Sequence, residues 1–236
     1  LRPSINEATI RLLTRLGVEV VVTKCSGCCG ALSHHLGKVG KARVFAKANI
    51  DAWINEIDQG GLDGIVINAA GCGTEVKDYK FLFKDDPVYN TKAETISRLT
   101  KDISEIIAEL ELPNKTLGGL PSIIYHDACS LMHGQGITQQ PRDLLKKVGF
   151  YVWDVPGQHF CCGSAGSYHI LQPMMANRLK DTRVSGLEKI IKASQASYIV
   201  TGNIGCLIQL ESECSVPICH TVELLDWATG GPNPYN

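Results

Sequence analysis

Apolar positions along the chain alternate between short β-branched runs and longer stretches with helical spacing. Such alternation is typical of α/β units, in which helices connect parallel strands. In the first half, apolar periodicity and glycine stops predict three helices and two strands. The helices are predicted over 5–16, 39–57 and about 91–111, and the strands over 18–22 and 62–68.

The second half repeats this order, with strands predicted over 123–125, 150–155 and 198–200 and helices over 141–148 and 174–193. The pattern therefore predicts an α/β fold of two tandem, similar units, each with a small parallel sheet flanked by helices and related by an internal repeat. We expect the first unit to span 1–112 and the second 122–230, with a linker at 113–121 and a flexible tail at 231–236. Residues 77–92 are interpreted as an insertion peculiar to the first half.

Two Cys-Cys-Gly triplets mark the repeat, one in each half. Cys29 is followed by Cys72 after 43 positions. Cys162 is followed by Cys206 after 44 positions. All of these cysteines follow predicted strands, where the loops of a parallel sheet converge, so the pattern predicts one thiolate metal site in each half. The predicted ligands are Cys28, Cys29 and Cys72 at the first site, and Cys129, Cys161, Cys162 and Cys206 at the second.

The first site has three of the four cysteines that the repeat predicts. Cys129 precedes Cys161 by 32 positions, and the same step back from Cys28 falls before Leu1. The chain also starts without methionine, within a helical pattern. We therefore expect the sequence to be a fragment that begins shortly after the first ligand of the first site.

Four thiolates per site favour an iron–sulfur cluster over structural zinc. Zinc sites usually have two short Cys-x2-4-Cys knuckles, whereas the side chains of adjacent cysteines diverge in an extended chain. Neighbouring thiolates can instead reach different iron atoms of a cluster, and thiolates are soft ligands that suit iron–sulfur chemistry. Zinc stays open as the alternative.

The composition is that of an ordinary globular chain, with 44% hydrophobic and 20% charged residues. Lys and Arg number 23 and Asp and Glu 24, so the formal charge is −1 and no basic surface predicts a nucleic-acid partner. No apolar run approaches the roughly 18 residues that span a bilayer. Ten cysteines without a visible secretory signal indicate metal or redox chemistry in a reducing cytosol rather than disulfides.

Other polar and sulfur side chains are assigned supporting roles. His126 and Asp127 are predicted to support the Cys129 loop rather than to catalyse a reaction, because no nucleophile accompanies them. Cys25 forms a Cys-x-x-Cys pair with Cys28, which leaves a redox pair, a zinc knuckle and a plain thiol as alternatives. Three histidines that follow the triplets are expected to donate hydrogen bonds or lie on the surface, and two late cysteines are unassigned, with a packing role favoured for the second. These are His34, His35 and His169, and Cys214 and Cys219.

Five segments together resemble the cysteine-rich CCG domains. They are 26–35 (SGCCGALSHH), 68–73 (NAAGCG), 125–129 (YHDAC), 161–166 (CCGSAG) and 201–206 (TGNIGC). They occur in order and cover nearly the whole chain. Within that superfamily they resemble the iron–sulfur subunits of glycolate oxidase (glycolate dehydrogenase).

The resemblance implies an electron-transfer subunit of an oxidoreductase, with no catalytic residue of its own. Its partners would be FAD-binding glycolate oxidase subunits, whose flavin oxidises glycolate to glyoxylate, and the quinone pool or a membrane-associated acceptor. The implied cofactor is an iron–sulfur cluster of the [4Fe-4S] type. The implied location is the cytoplasm, with a peripheral position on the inner face of the membrane left open.

Three alternatives remain at this point. The chain could belong to a lactate-oxidising complex or to a heterodisulfide-reductase-like complex. The second is disfavoured because Ala69 and Asn203 stand where that relative has an additional cysteine. A non-enzymatic alternative is a structural zinc or metal-free module that assembles a complex.

Overall fold

The structure is a computed structural model that describes residues 1–113, 119–155, 157 and 160–235. Most of the predicted linker, 114–118, and Asn236 of the predicted tail lie outside the described residues. The strands within them are β1 (Ile65–Ile67), β2 (Thr100–Asp102), β3 (Ser122–Tyr125), β4 (Tyr151–Asp154), β5 (Tyr198–Thr201) and β6 (Ile218–His220). The helices are α1 (Pro3–Arg15), α2 (Ala31–His35), α3 (Val39–Gly60), α4 (Ala70–Lys77), α5 (Tyr79–Leu82), α6 (Asn90–Leu99), α7 (Ile103–Glu109), α8 (Gln140–Lys147), α9 (Tyr168–Leu171), α10 (Pro173–Ser194), α11 (Ile204–Glu211) and α12 (Thr221–Ala228).

Two small parallel sheets flanked by helices confirm the predicted α/β class. One has the strand order β4-β3-β5-β6, and the other pairs β1 with β2. In the larger sheet Ile124 of β3 lies opposite Trp153 of β4 and Ile199 of β5. Ile124 and Ile199 are fully buried, so the centre of this sheet is covered on both faces.

The strand predicted over 18–22 does not form, and Val22 is 72% exposed. Its counterpart in the second half, β4, pairs only with β3. Within the described residues the apolar run 18–22 pairs with no strand, so its backbone groups have no ladder partner and the segment is irregular.

The long helix predicted over 91–111 is wrong, because β2 interrupts it between α6 and α7. Thr100 pairs with Ile65 of β1, and its hydroxyl donates to the carbonyl oxygen of Ile96, which ends α6. The three-residue strand is too short for its apolar period to be distinguished from that of the flanking helices.

The chain packs as two compact units, Leu1–Val20 with Ile103–Asn236 and Val21–Asp102. We call them the larger and the smaller unit. They do not coincide with the predicted units 1–112 and 122–230, because α1 packs against α12 and α7 against α8. Arg11 and Arg15 of α1 both pair with the buried carboxylate of Asp226 on α12. The packing units therefore do not follow the sequence repeat, and the bounds of the two repeat units stay a prediction.

The smaller unit has its own apolar core, built mainly from α3, β1 and α6. Tyr79 and Phe83, which lie in the segment interpreted as an insertion, are fully buried in this core. The Tyr79 hydroxyl donates to the carbonyl oxygen of Cys29 at 2.8 Å. The insertion therefore also positions the first Cys-Cys-Gly turn.

Candidate metal centre

The four cysteines of the second predicted site follow three adjacent strands of the larger sheet. Cys129 begins a π-helical turn after β3, Cys161 and Cys162 lie in the loop after β4, and Cys206 lies in the first turn of α11 after β5. Because β4, β3 and β5 are parallel neighbours, their carboxyl ends meet at one edge. The fold thus brings together residues that are up to 77 positions apart.

The side chains form a compact, mostly buried cluster. The thiols follow one another as neighbours in the order Cys129, Cys161, Cys162, Cys206. A ring nitrogen of His126 and the Sγ atoms of Cys162 and Cys206 all lie within 4.8 Å of one another, and all three residues are buried. Cys162 and Cys206 thus lie with the His126 imidazole in one group of donors, and Cys161 and Cys129 continue the series of thiols beside it.

The thiols share their protons unequally. Hydrogen bonds from the Cys129 and Cys162 thiols lower the pKa of Cys161 to about 2, helped by the Gly163 N–H at 3.3 Å from its Sγ. A hydrogen bond from the Cys162 thiol also lowers the pKa of Cys206, although burial alone would raise it. His126 and Asn203 lower this pKa further. The same contacts, with burial, raise the pKa values of Cys129 and Cys162. Binding of a metal by these cysteines would release protons, because the thiolate is the form that binds.

At Gly163 the backbone passes very close to α10. Its φ is +91°, and a Cβ there would overlap the carbonyl oxygen of Ala176. Gly163→Ala should therefore lower the free energy of unfolding by about 2 kcal/mol through strain and overpacking. Urea denaturation measures this, with Gly71→Ala as the control, because a Cβ at Gly71 meets nothing within 4 Å. Equal midpoints for the two variants would contradict the prediction.

The first site is more open. Cys28 is exposed, Cys29 is buried, and Cys72 is half-buried in α4. A hydrogen bond between Cys29 and Cys72 raises the pKa of Cys29 and lowers that of Cys72, which places these two thiols next to each other. Gly30 has a φ of +90° against Ala42, and its N–H lies 3.5 Å from Cys28 Sγ. The two Cys-Cys-Gly turns are therefore alike in the structure.

Two polar residues that sequence reasoning missed hold the loops before the triplets. Asn49 of α3 accepts from the Gly27 N–H at 2.7 Å and donates to the Cys28 carbonyl oxygen at 3.0 Å. Arg183 of α10 donates to the carbonyl oxygens of Gly157, at 3.0 Å, and Phe160. Both lie seven positions after the alanine that contacts the glycine of their triplet. The sequence signal that could have identified these two residues is a polar side chain on the otherwise apolar face of a predicted helix.

A second pair of equivalent positions also differs in charge. Glu75 lies three positions after Cys72, and Gln209 lies three positions after Cys206. Glu75 is buried and pairs with His34 at 2.9 Å. The first site therefore has a buried carboxylate nearby, while the second has a buried guanidinium, that of Arg183.

The other residues singled out in the sequence differ in their surroundings. Asp127 is buried and accepts two hydrogen bonds from Arg142, as expected of a residue that supports the Cys129 loop. His169 is exposed and lies within hydrogen-bond distance of the Ser164 and Gly166 carbonyl oxygens. Cys25 is exposed, and Cys219 is buried in β6. His126, assigned to loop support, instead has its ring beside two thiols.

Residues 1–77 and 123–211 match a family model described as "Cysteine-rich domain" (CCG). The chain belongs to the CCG cysteine-rich domain family. Its two CCG matches contain both triplets and confirm that the chain is a tandem repeat of this domain. The match also confirms the resemblance on which the sequence interpretation relied.

Curated CCG relatives include iron–sulfur subunits. The chain is 37% identical over 228 residues, 97% of its length and 55% of the relative, to "Glycolate oxidase iron-sulfur subunit" of Escherichia coli (strain K12). It is 34% identical over 209 residues, 87% of its length and 45% of the relative, to "Probable glycolate oxidase iron-sulfur subunit" of Bacillus subtilis (strain 168). It is 25% identical over 232 residues to "Lactate utilization protein A" of the same strain, covering 94% of the chain and 92% of that protein.

The chain thus spans about half the length of the glycolate oxidase subunits that it matches. Homology to iron–sulfur subunits and the cysteine-rich domains support an iron–sulfur cluster, and the soft thiol donors of the second site fit one. No helix in the described part of the chain combines the length and apolar character needed to cross a membrane.

Proposed function

We propose that this chain is the tandem CCG part of an iron–sulfur subunit that transfers electrons in a glycolate-oxidising complex. Electrons would arrive from FAD-binding subunits that oxidise glycolate to glyoxylate and leave towards the quinone pool or another membrane-associated acceptor. The observation that carries the proposal is the convergence of four thiols at the carboxyl ends of β4, β3 and β5. The choice of glycolate as the substrate of the complex comes from the similarity to glycolate oxidase iron–sulfur subunits.

In this proposal Cys129, Cys161, Cys162 and Cys206 hold a [4Fe-4S] cluster, which supplies one-electron transfer when bound. The chain's own groups bind it and adjust its charge. The Gly163 N–H and the Asn203 side-chain amide donate to Cys161 and Cys206 Sγ and would reduce the negative charge on the thiolates. Burial keeps water away from Cys162 and Cys206, whereas Cys129 and Cys161 are half-buried.

Cys28, Cys29 and Cys72 form the equivalent first site in the proposal. The Gly30 turn and the Asn49 contacts support this site in the way that the Gly163 turn and Arg183 support the second. We place the protein in the cytoplasm, where it would dock peripherally at the membrane through its partners.

A lactate-oxidising complex is the second candidate. The supporting observation is that the match to "Lactate utilization protein A" covers 92% of that protein. Identity over this match is 25%, compared with 37% for the glycolate oxidase subunit, which favours glycolate.

The test is anaerobic isolation of the native complex through a tag on this chain. We expect iron and acid-labile sulfide in near-equal amounts and an electron paramagnetic resonance (EPR) signal that grows when glycolate is added. Reduction by lactate but not by glycolate would replace the first candidate with the second. Zinc with little iron would contradict both and would leave a structural module. Cys214→Ser, outside both predicted sites, is the control that should behave as wild type.

A further inference from the structure

We propose that the imidazole of His126 is a fifth donor at the second site, bonded through a ring nitrogen to the metal centre that Cys162 and Cys206 hold. The proposal rests on the proposed function in one respect, that this site binds metal. It adds a nitrogen ligand to a site that the sequence pattern assigns to cysteine alone, and it implies an open cluster, because in a closed [4Fe-4S] cube each of the four irons takes a single protein ligand.

The first observation is position. A His126 ring nitrogen and the Sγ atoms of Cys162 and Cys206 lie within 4.8 Å of one another. Thiolate and imidazole donors bind iron and zinc at about 2.0–2.3 Å, so a shared ion leaves its ligand atoms roughly 3–4 Å apart. A small movement of the side chains would bring the three atoms to the spacing of ligands bound to one metal ion.

The second observation is an unsatisfied ring. His126 is 1% exposed, and among the described residues neither of its ring nitrogens has a hydrogen-bond partner of normal geometry, although the ring lies close enough to the Cys206 thiol to lower its pKa. A buried polar group without a partner costs about 1–3 kcal/mol. A bond to metal would remove that cost, whereas a role confined to loop support would leave it.

The third observation is that the backbone of His126 is itself held in place. The His126 N–H donates to the Val200 carbonyl oxygen at 2.8 Å, which extends the ladder between β3 and β5. The next residue, Asp127, is held by Arg142. The backbone at His126 is thus held on both sides, at the position from which its ring reaches the two thiols.

Two other histidines of the larger unit differ in this respect. His169 is exposed and lies 2.7 Å from the Gly166 carbonyl oxygen. His220 accepts a hydrogen bond from the Val222 N–H as part of a capping box on α12. Both rings have structural partners of their own.

A nitrogen donor changes the chemistry of the site. Neutral imidazole carries no negative charge, so it stabilises the more negative, reduced state of a metal cluster better than a thiolate would. His126→Cys should therefore lower the reduction potential relative to wild type. His126→Gln removes the aromatic nitrogen donor and keeps a polar side chain.

The deciding measurement is pulsed EPR on the reduced native complex with ¹⁵N-labelled histidine. We expect a ¹⁵N hyperfine coupling typical of a bound imidazole in wild type and in the control His169→Gln. We expect its loss in His126→Gln, with iron and sulfide contents within about twofold of wild type because the four cysteines remain. The wild-type spectrum needs no variant, so it tests the proposal even if His126→Gln misfolds.

An EPR-active cluster without histidine coupling in wild type would overturn the proposal, and so would a coupling that survives in His126→Gln. If the site holds zinc instead of iron, the proposed function fails separately. Cadmium substitution with the same ¹⁵N label then decides the role of His126 by cadmium–nitrogen coupling in nuclear magnetic resonance.

Discussion

Replacing Cys161 and Cys162 together by serine should abolish metal binding at the second site. These two residues lie in the middle of the thiol series, between Cys129 and Cys206, so their loss leaves two separated sulfurs. A serine hydroxyl is a hard donor that keeps its proton at neutral pH and is a poor ligand for iron. Since loss of an outer hydrogen bond alone weakens metal binding about 10–100-fold, we expect loss of two ligands to weaken it by more than about 100-fold.

Iron and acid-labile sulfide per chain and the visible absorbance measure this effect. Far-UV circular dichroism should stay close to wild type, because the larger sheet does not depend on either sulfur for its hydrogen bonds. The matched control is Cys25→Ser with Cys214→Ser, which also removes two thiols, neither of them in the cluster. Unchanged absorbance and electron transfer in the Cys161 and Cys162 variant would show that the ligand assignment is wrong.

The thiol cluster of the second site was predictable because it depends on two local signals. Strand ends can be located from apolar runs, and the doubled cysteines repeat at matching distances. Parallel topology then brings the strand ends together without further information. Cys129 and Cys206, which follow the neighbouring strands β3 and β5, lie at the same edge of the sheet for this reason.

Elements that depend on a distant partner were not predictable. The run 18–22 has strand propensity but no adjacent strand, while Thr100–Asp102 has little strand signal and pairs with β1. The packing units differ from the repeat for the same reason. Helix α1 finds its partner, α12, more than 200 positions away, through Asp226 and the arginines of α1.

The residues around the thiols were not predicted because their contacts join helices to loops that are distant in the sequence. Asn49, Arg183 and Glu75 read as ordinary polar positions on helices. In the structure, Asn49 and Arg183 hold equivalent loops with different charge. Glu75 adds a buried carboxylate at the first site, where Gln209 is the counterpart at the second. The same cluster would therefore have a higher reduction potential at the second site, because a nearby cation favours the more negative reduced state.

Replacing Arg142 by methionine should cause a large loss of stability in the larger unit. Arg142 is 4% exposed and donates to both carboxylate oxygens of Asp127 and to Asp154. Its guanidinium also lies over the Tyr125 ring, 4.6 Å from the centroid. Removing it leaves the Asp127 carboxylate buried without its charge partner, which costs about 3–5 kcal/mol.

Thermal unfolding followed by circular dichroism should show this as a melting temperature about 10 °C lower than wild type, at about 2–4 °C per kcal/mol for a chain of this size. Arg178→Met, on the exposed face of α10, is the control and should shift the midpoint by less than about 2 °C. Adding Asp127→Asn to Arg142→Met should recover part of the loss, because the buried charge is then removed. Equal midpoints for Arg142→Met and Arg178→Met would mean that the ion pair does not hold the Cys129 loop. A loss that Asp127→Asn does not reduce would assign the effect to packing against Tyr125 instead.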